Sequence, residues 1–230
     1  MFRVLALILA LLIPAGAFAK PIPIKVVVLT TFETGASSAK TSGEFQAWAA
    51  RYPLTTPVKV PGIEGRELMS SDGVLGVVTG MRARARESVA ALLLDPNLDL
   101  SHAYWVIAGI AGVDPRAGSI GSAAWANWVV DADPIFEQDD REIPKDWPWG
   151  LYSLDTKRPG VKGAAPGSSD MVWRMDPGVT QWAFQLTKDI ALPDNPHLAA
   201  TRARFPSEPA AQKPPHVFIG DDLGTVRFWH

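Results

Sequence analysis

The stretch from Val74 to Asp133 constrains the fold more than any other part of the chain. It reads as an apolar run Val74–Val78, a Thr79-Gly80 turn, an amphipathic segment, a second apolar run Ala103–Ala108 and a Gly109-Ile110-Ala111-Gly112 turn. A third run, Ala123–Val130, closes it. Upstream, Lys25–Thr30 (KVVVLT) is β-branched without polar alternation. Such runs suit strands covered on both faces, as in a mainly parallel sheet. Between Val74–Val78 and Ala103–Ala108, Ala85, Val89, Leu92 and Leu93 recur at helical spacing and predict a helix with those residues inward.

Further elements follow the same reasoning. Glu44–Ala50 predicts a short helix, and Asp176-Pro177 supplies a cap and a first-turn proline for a helix that buries Val179, Trp182, Ala183 and Leu186. Trp125 and Trp128 are expected to pack within their strand's core. His216–Ile219 predicts a last strand ending at the Gly220-Asp221-Asp222 turn. Arg158–Asp170 and Phe205–Pro215 are rich in Pro, Gly, Ser and Ala and read as loops. Strands alternating with helices make an α/β layer fold with a mostly parallel sheet.

Composition excludes several function classes. With 47% hydrophobic residues and a formal charge of -2, the chain is globular and has no basic surplus for nucleic acid. It has no cysteine, and its 4 histidines lack ligand spacing, so neither disulfides nor a dedicated metal site is expected. No Ser-His-Asp arrangement, Walker loop or GxGxxG fingerprint is present.

The first residues read as a leader. Arg3 precedes an apolar run from Val4 to Ile13, then Pro14-Ala15-Gly16 and Ala17-Phe18-Ala19. The run falls short of the ~20 residues a spanning helix needs, which favours a cleaved signal over an anchor. Residues 1–19 are therefore read as a signal peptide, residues 20–230 as one domain, and the mature chain as periplasmic or secreted.

Ligands in open α/β sheets gather at the carboxyl ends of the strands. That rule selects Glu33 and Gly35, Gly80 and Met81, and Gly109, Ile110, Ala111 and Gly112. Small residues after a buried strand let a ligand approach the backbone, although a tight strand exit without a ligand has the same appearance. Arg82, Arg84 and Arg86 open the second helix, as either an anion-binding mouth or a solvated face. A second cluster, Asp131 to Glu142, places Glu137, Asp139, Arg141 and Glu142 beside Trp147. Carboxylates next to aromatic rings suit sugar and ring binding, against the plainer reading of a solvated acidic loop. Glu33 and Glu137 are the catalytic candidates.

These residues carry a resemblance. KVVVLTTFETG from Lys25, GEFQAW from Gly43, GVLGVVTGM from Gly73, the long block from Asp95 to Asp133, DREIPKDWPWG from Asp140 and FIGDDLGTVRFWH from Phe218 resemble the purine nucleoside permease family. That family is related to the nucleoside phosphorylases. The resemblance implies a three-layer α/β/α sandwich around a mixed, mainly parallel sheet. It also implies a purine nucleoside as ligand, with the Ala111-Gly112 backbone near base and ribose and the Gly80 turn near an anion. Phosphate would enter as a co-substrate, with no other cofactor. Ile110 stands where related phosphorylases carry Ser or Thr, and Met81-Arg82-Ala83-Arg84 replaces a small, polar helix start. The family continues beyond His230 and holds there a Met-Glu pair that this sequence lacks, so the domain is expected to be incomplete at its carboxyl end.

Three functions remain open from sequence: a nucleoside-binding protein that cleaves the N-glycosidic bond, a binding component that delivers nucleoside to a separate membrane transporter, and a truncated inactive product. An oligomer, as in related phosphorylases, is compatible with each.

Overall fold

The computed structural model describes residues 20–33, 43–131, 135–137, 139, 141–143, 145, 151–153 and 171–224. Residues 1–19, Gly35, Trp147 and the expected loop Arg158–Asp170 lie outside them, as do the side chains of residues 132–138 in the acidic cluster. The chain divides into two compact units, Met1–Ala111 and Gly112–His230. Each is described by itself.

The first unit runs β1 (Ile22–Pro23), β2 (Val26–Thr30), α1 (Glu44–Arg51), β3 (Thr56–Pro57), β4 (Glu67–Met69), β5 (Val74–Val78), α2 (Ala83–Leu94), β6 (Leu98–Asp99) and β7 (Tyr104–Ile107). Its main sheet has the order β3-β4-β5-β2-β7. The β5–β2 and β2–β7 pairs are parallel, and the β3–β4 and β4–β5 pairs antiparallel. The two apolar runs are thus adjacent strands at the sheet's centre, as their lack of alternation predicts.

Alternation along β5 separates two packing faces. Leu75 and Val77 join Val27, Leu29 and Leu92 of α2 in one buried cluster. Val78 and the partly buried Val74 pack with Phe45 of α1 and Leu54 in the other. Gly76 belongs to this second face, where a Cβ would stand 2.6 Å from Phe45 Cε2 and 2.8 Å from Leu54 Cδ1. The missing side chain lets α1 settle onto the strand and fixes where the helix begins.

Two expectations are corrected here. The Ala103–Ala108 run forms β7 at the edge of the sheet, with Tyr104 63% and Ile107 71% exposed. An apolar run does not distinguish an edge strand from a central one. On α2, Leu92 is buried while Leu93 faces out, because Ser88 and Leu92, four apart, define the inner face.

The second unit runs β8 (Ala123–Asp131), β9 (Ile135–Glu137), β10 (Leu151–Ser153), β11 (Val172–Arg174), α3 (Pro177–Thr187), α4 (Pro196–Arg202) and β12 (Val217–Gly224). β8 is the centre of a three-stranded sheet, antiparallel to β11 and parallel to β12. β9 and β10 form an antiparallel pair. Asp176 caps α3 by accepting from Val179 N at 2.9 Å, and Pro177 follows, as expected.

The face of α3 departs from the sequence expectation at its large residues, while Ala183 is buried as expected. Thr180 and Ala183 are buried, and Thr187 Oγ1 accepts from Trp125 Nε1 at 2.9 Å, so this small-residue side lies on β8. Val179, Trp182 and Leu186 point away, Trp182 being 64% exposed. Trp128 is also open to solvent, with the Arg174 guanidinium 5.6 Å above its ring. The Gly220-Asp221-Asp222 segment does not end β12 but lies inside it, at a shift in register. Asp194 holds Arg202 through two hydrogen bonds of 3.0 and 2.6 Å and secures α4.

Candidate functional site

The carboxyl ends of β2, β5 and β7 lie side by side and are bound together by side chains. Thr79, just beyond β5, donates its N–H to Thr30 O at 2.8 Å and its hydroxyl to the same oxygen at 3.1 Å. Thr30 Oγ1 donates to Val77 O at 3.3 Å. Ser88 of α2 donates to Thr79 O at 2.8 Å, which ties the second helix to the β5 exit. On the other side, Ala108 N donates to Leu29 O at 2.8 Å and continues the β2–β7 ladder one step past β7.

Glu44, the first residue of α1, supplies the remaining bond between exits. Its Oε2 accepts from Thr31 N at 2.7 Å, Thr31 Oγ1 at 2.8 Å and Phe32 N at 3.4 Å. Its Oε1 accepts from Ile110 N at 3.0 Å. The residue is 9% exposed. One carboxylate thus holds the turn after β2 and the turn after β7, whose donors lie 66 residues away from it in sequence. Hydrogen bonds to a carboxylate are roughly twice as strong as those between neutral groups. Gly109 completes the fit, since a Cβ there would lie 3.1 Å from Glu44 Oε1.

Of the sequence candidates, Glu33, Gly80, Met81, Gly109, Ile110 and Ala111 all lie at these three exits. Glu33 is half-buried after the Glu44-bound turn. Gly109, Ile110 and Ala111 are exposed, as is Met81. Gly112 begins the second unit. At the start of α2, Gly80 has φ +77 and Arg82 φ 58, and no side chain caps the helix. Arg84 pairs with Glu64 at 2.8 Å on the surface.

Asp139 and Arg141 pair with each other, at 2.8 Å from Nε to Oδ1 and 2.7 Å from Nη2 to Oδ2. The Arg141 hydrogen bonds hold the Asp139 carboxyl down at about 2. An acid so strong carries no proton at neutral pH, so Asp139 is no general acid. Glu142 is exposed, and Glu137 lies on β9.

Sequence reasoning took Glu44 only as the start of a helix. An acidic residue in a first helical turn is favoured by the dipole in any protein, so its second task carried no separate signal. The GEFQAW block and the need for an acceptor beside a Thr-Phe turn were the available hints.

Among the described residues no group of acidic or histidine side chains could hold a metal ion, and no helix is long and apolar enough to cross a membrane.

The arrangement defines an α/β protein whose central parallel strands open at one end onto small, solvent-facing turns, the usual place for a small-molecule ligand in such sheets. The chain belongs to the purine nucleoside permease family, whose model matches residues 23–230. A probable purine nucleoside permease of Schizosaccharomyces pombe is 31% identical over 156 residues, covering 64% of this chain and 44% of that protein. The purine nucleoside permease of Candida albicans is 26% identical over 153 residues, covering 63% of this chain and 36% of its own length. The chain therefore aligns with less than half of these relatives. No solved structure matches it.

Proposed function

We propose that this chain binds a purine nucleoside at the joined exits of β2, β5 and β7 and serves nucleoside uptake. The observation that carries the reading is the Glu44 carboxylate, which joins the turns after β2 and β7, while Thr79 ties the β5 exit to β2. Family membership supplies the ligand class. The exposed Gly109–Ala111 turn offers backbone to a base or ribose, and the uncapped start of α2 near Gly80 offers donors to an anion. A three-layer sandwich of the nucleoside phosphorylase kind is the whole-domain architecture consistent with α1 and α2 on opposite faces of the sheet. The apolar leader in residues 1–19 supports export, and a separate membrane protein would then carry the nucleoside across the bilayer.

Binding is the first reading and cleavage the second. Glu44 is committed to four donors and Asp139 to Arg141, so neither is poised for proton transfer. Glu33 is the carboxylate through which a cleaving reaction would run, by stabilising the positive ribose of an oxocarbenium-like transition state. Calorimetry of residues 20–230 with inosine and adenosine tests binding, and chromatography of the same mixtures with and without phosphate tests release of free base. Micromolar binding without base release supports the first reading. Base release moves the protein to the second, and absence of binding to either nucleoside refutes both.

A further inference from the structure

We infer that Glu44 is the positioning residue of this site: it touches no ligand itself but sets the conformation of the Gly109–Ala111 turn that does. The inference rests on the nucleoside-binding reading above. Each oxygen of the carboxylate is occupied from within the protein, Oε2 by the Thr31–Phe32 turn and Oε1 by Ile110 N–H. Glu44 is 9% exposed, which leaves little of its carboxylate open to a ligand. The Ile110 side chain, 67% exposed, contributes nothing to holding the turn from inside, so its N–H bond to Glu44 is the specific tether. Gly109 sits against the same oxygen, with no room for a Cβ closer than 3.1 Å. The turn's position therefore follows from the helix start, across the β2 exit, to the β7 exit.

The chemistry makes a demanding requirement of this residue. Aspartate is one methylene too short to span both turns. Glutamine has the length but presents an NH2 group to backbone N–H donors, so at least one turn loses its acceptor whichever way the amide is placed. Neither replacement is conservative here, although both are conservative for a merely polar helix start.

The test uses the mature chain with inosine as probe, together with amide hydrogen exchange on the unliganded protein. Glu44→Gln should weaken inosine binding by about tenfold or more, the loss of one charge-assisted bond. It should speed exchange at Ile110 or Thr31, whichever turn faces the NH2 group, while leaving Leu75 and Val77 at the wild-type rate. Should Glu44→Gln fail to fold, Thr31→Val removes the hydroxyl donor alone and should give the same changes in smaller degree. Gly109→Ala should weaken binding too, and the two substitutions together should cost less than the sum of each, since both release the same turn. Wild-type exchange at both Ile110 and Thr31 in Glu44→Gln, or unchanged inosine affinity in a protein that binds inosine, overturns the inference. A wild-type protein that binds no nucleoside refutes the functional reading instead, and the exchange measurement still decides whether Glu44 holds the turn.

Discussion

Replacing Gly76 by alanine tests the packing that brings Glu44 to the strand exits. The added methyl would stand 2.6 Å from Phe45 Cε2, 2.8 Å from Leu54 Cδ1 and 3.1 Å from Phe45 Cζ, where carbon atoms normally keep a distance of about 3.5 Å or more. Phe45 is fully buried and Leu54 nearly so, so neither ring nor methyl can swing into solvent. Overpacking of this kind costs ~1–3 kcal/mol. Against it stands the gain of ~0.4–1 kcal/mol from restricting the unfolded chain. The net expectation is a loss of ~1–2 kcal/mol, read as a lower urea midpoint with unchanged slope. Phe45→Leu makes room at the same place, so Gly76→Ala should cost less in that background than in the wild type. If α1 is pushed outward, Ile110 amide exchange should quicken in the same variant, because the carboxylate that holds it moves with the helix. A Gly76→Ala protein as stable as the wild type, or an equal cost in both backgrounds, would refute the placement of α1 on β5.

Other predictions follow from buried and paired groups. Glu67 is 4% exposed, with Oε2 accepting from Val60 N at 3.0 Å and Oε1 without a hydrogen-bond partner among the described residues. Burial pushes its carboxyl up, opposed by the Val60 N–H and Lys59 and assisted by Asp95. A raised folded pKa gives stability that is complete below the unfolded value and is lost as pH rises through the folded one. Glu67→Gln should therefore gain on the wild type in urea unfolding as pH rises above the unfolded carboxylate value; a variant that loses ground as pH rises contradicts the burial. Asp139 should titrate at about 2 by carbon-detected NMR, and Arg141→Gln should move it back toward the ordinary 3.8. On α3, Trp182→Gln should change stability by less than ~0.5 kcal/mol, whereas Ala183→Leu should cost ~1–3 kcal/mol. A larger loss at Trp182→Gln would restore that ring to the inward face expected from sequence.

The centre of the first unit was legible because Val26–Thr30 and Val74–Val78 are apolar without alternation, a pattern that few environments other than a covered parallel strand tolerate. The cap at Asp176 and Pro177 was legible for a local reason, since each acts on the backbone within one helical turn. Edge and face were not. Tyr104–Ile107 is as apolar as its neighbour β2, and only the sheet order makes it the outer strand. On α3, large apolar residues occupy the side away from β8, while Thr180, Ala183 and Thr187 lie on it, because a close helix–sheet approach favours small side chains. The strand exits could be located from the Gly turns, whereas Glu44 could not be assigned. Its four donors come from segments that are brought together only by the β2–β7 pairing and the Phe45–Gly76 contact.

In the proposed reading the exits of β2, β5 and β7 form one ligand surface, with Glu44 joining the turns after β2 and β7 and Thr79 joining β5 to β2. Amide chemical-shift mapping during titration with inosine tests it most directly. Shifts are expected to concentrate at Thr31–Glu33, Gly80–Met81 and Gly109–Ala111, all saturating at a single inosine concentration. Shifts confined to α3 and β12, or separate saturation at the different exits, would contradict it.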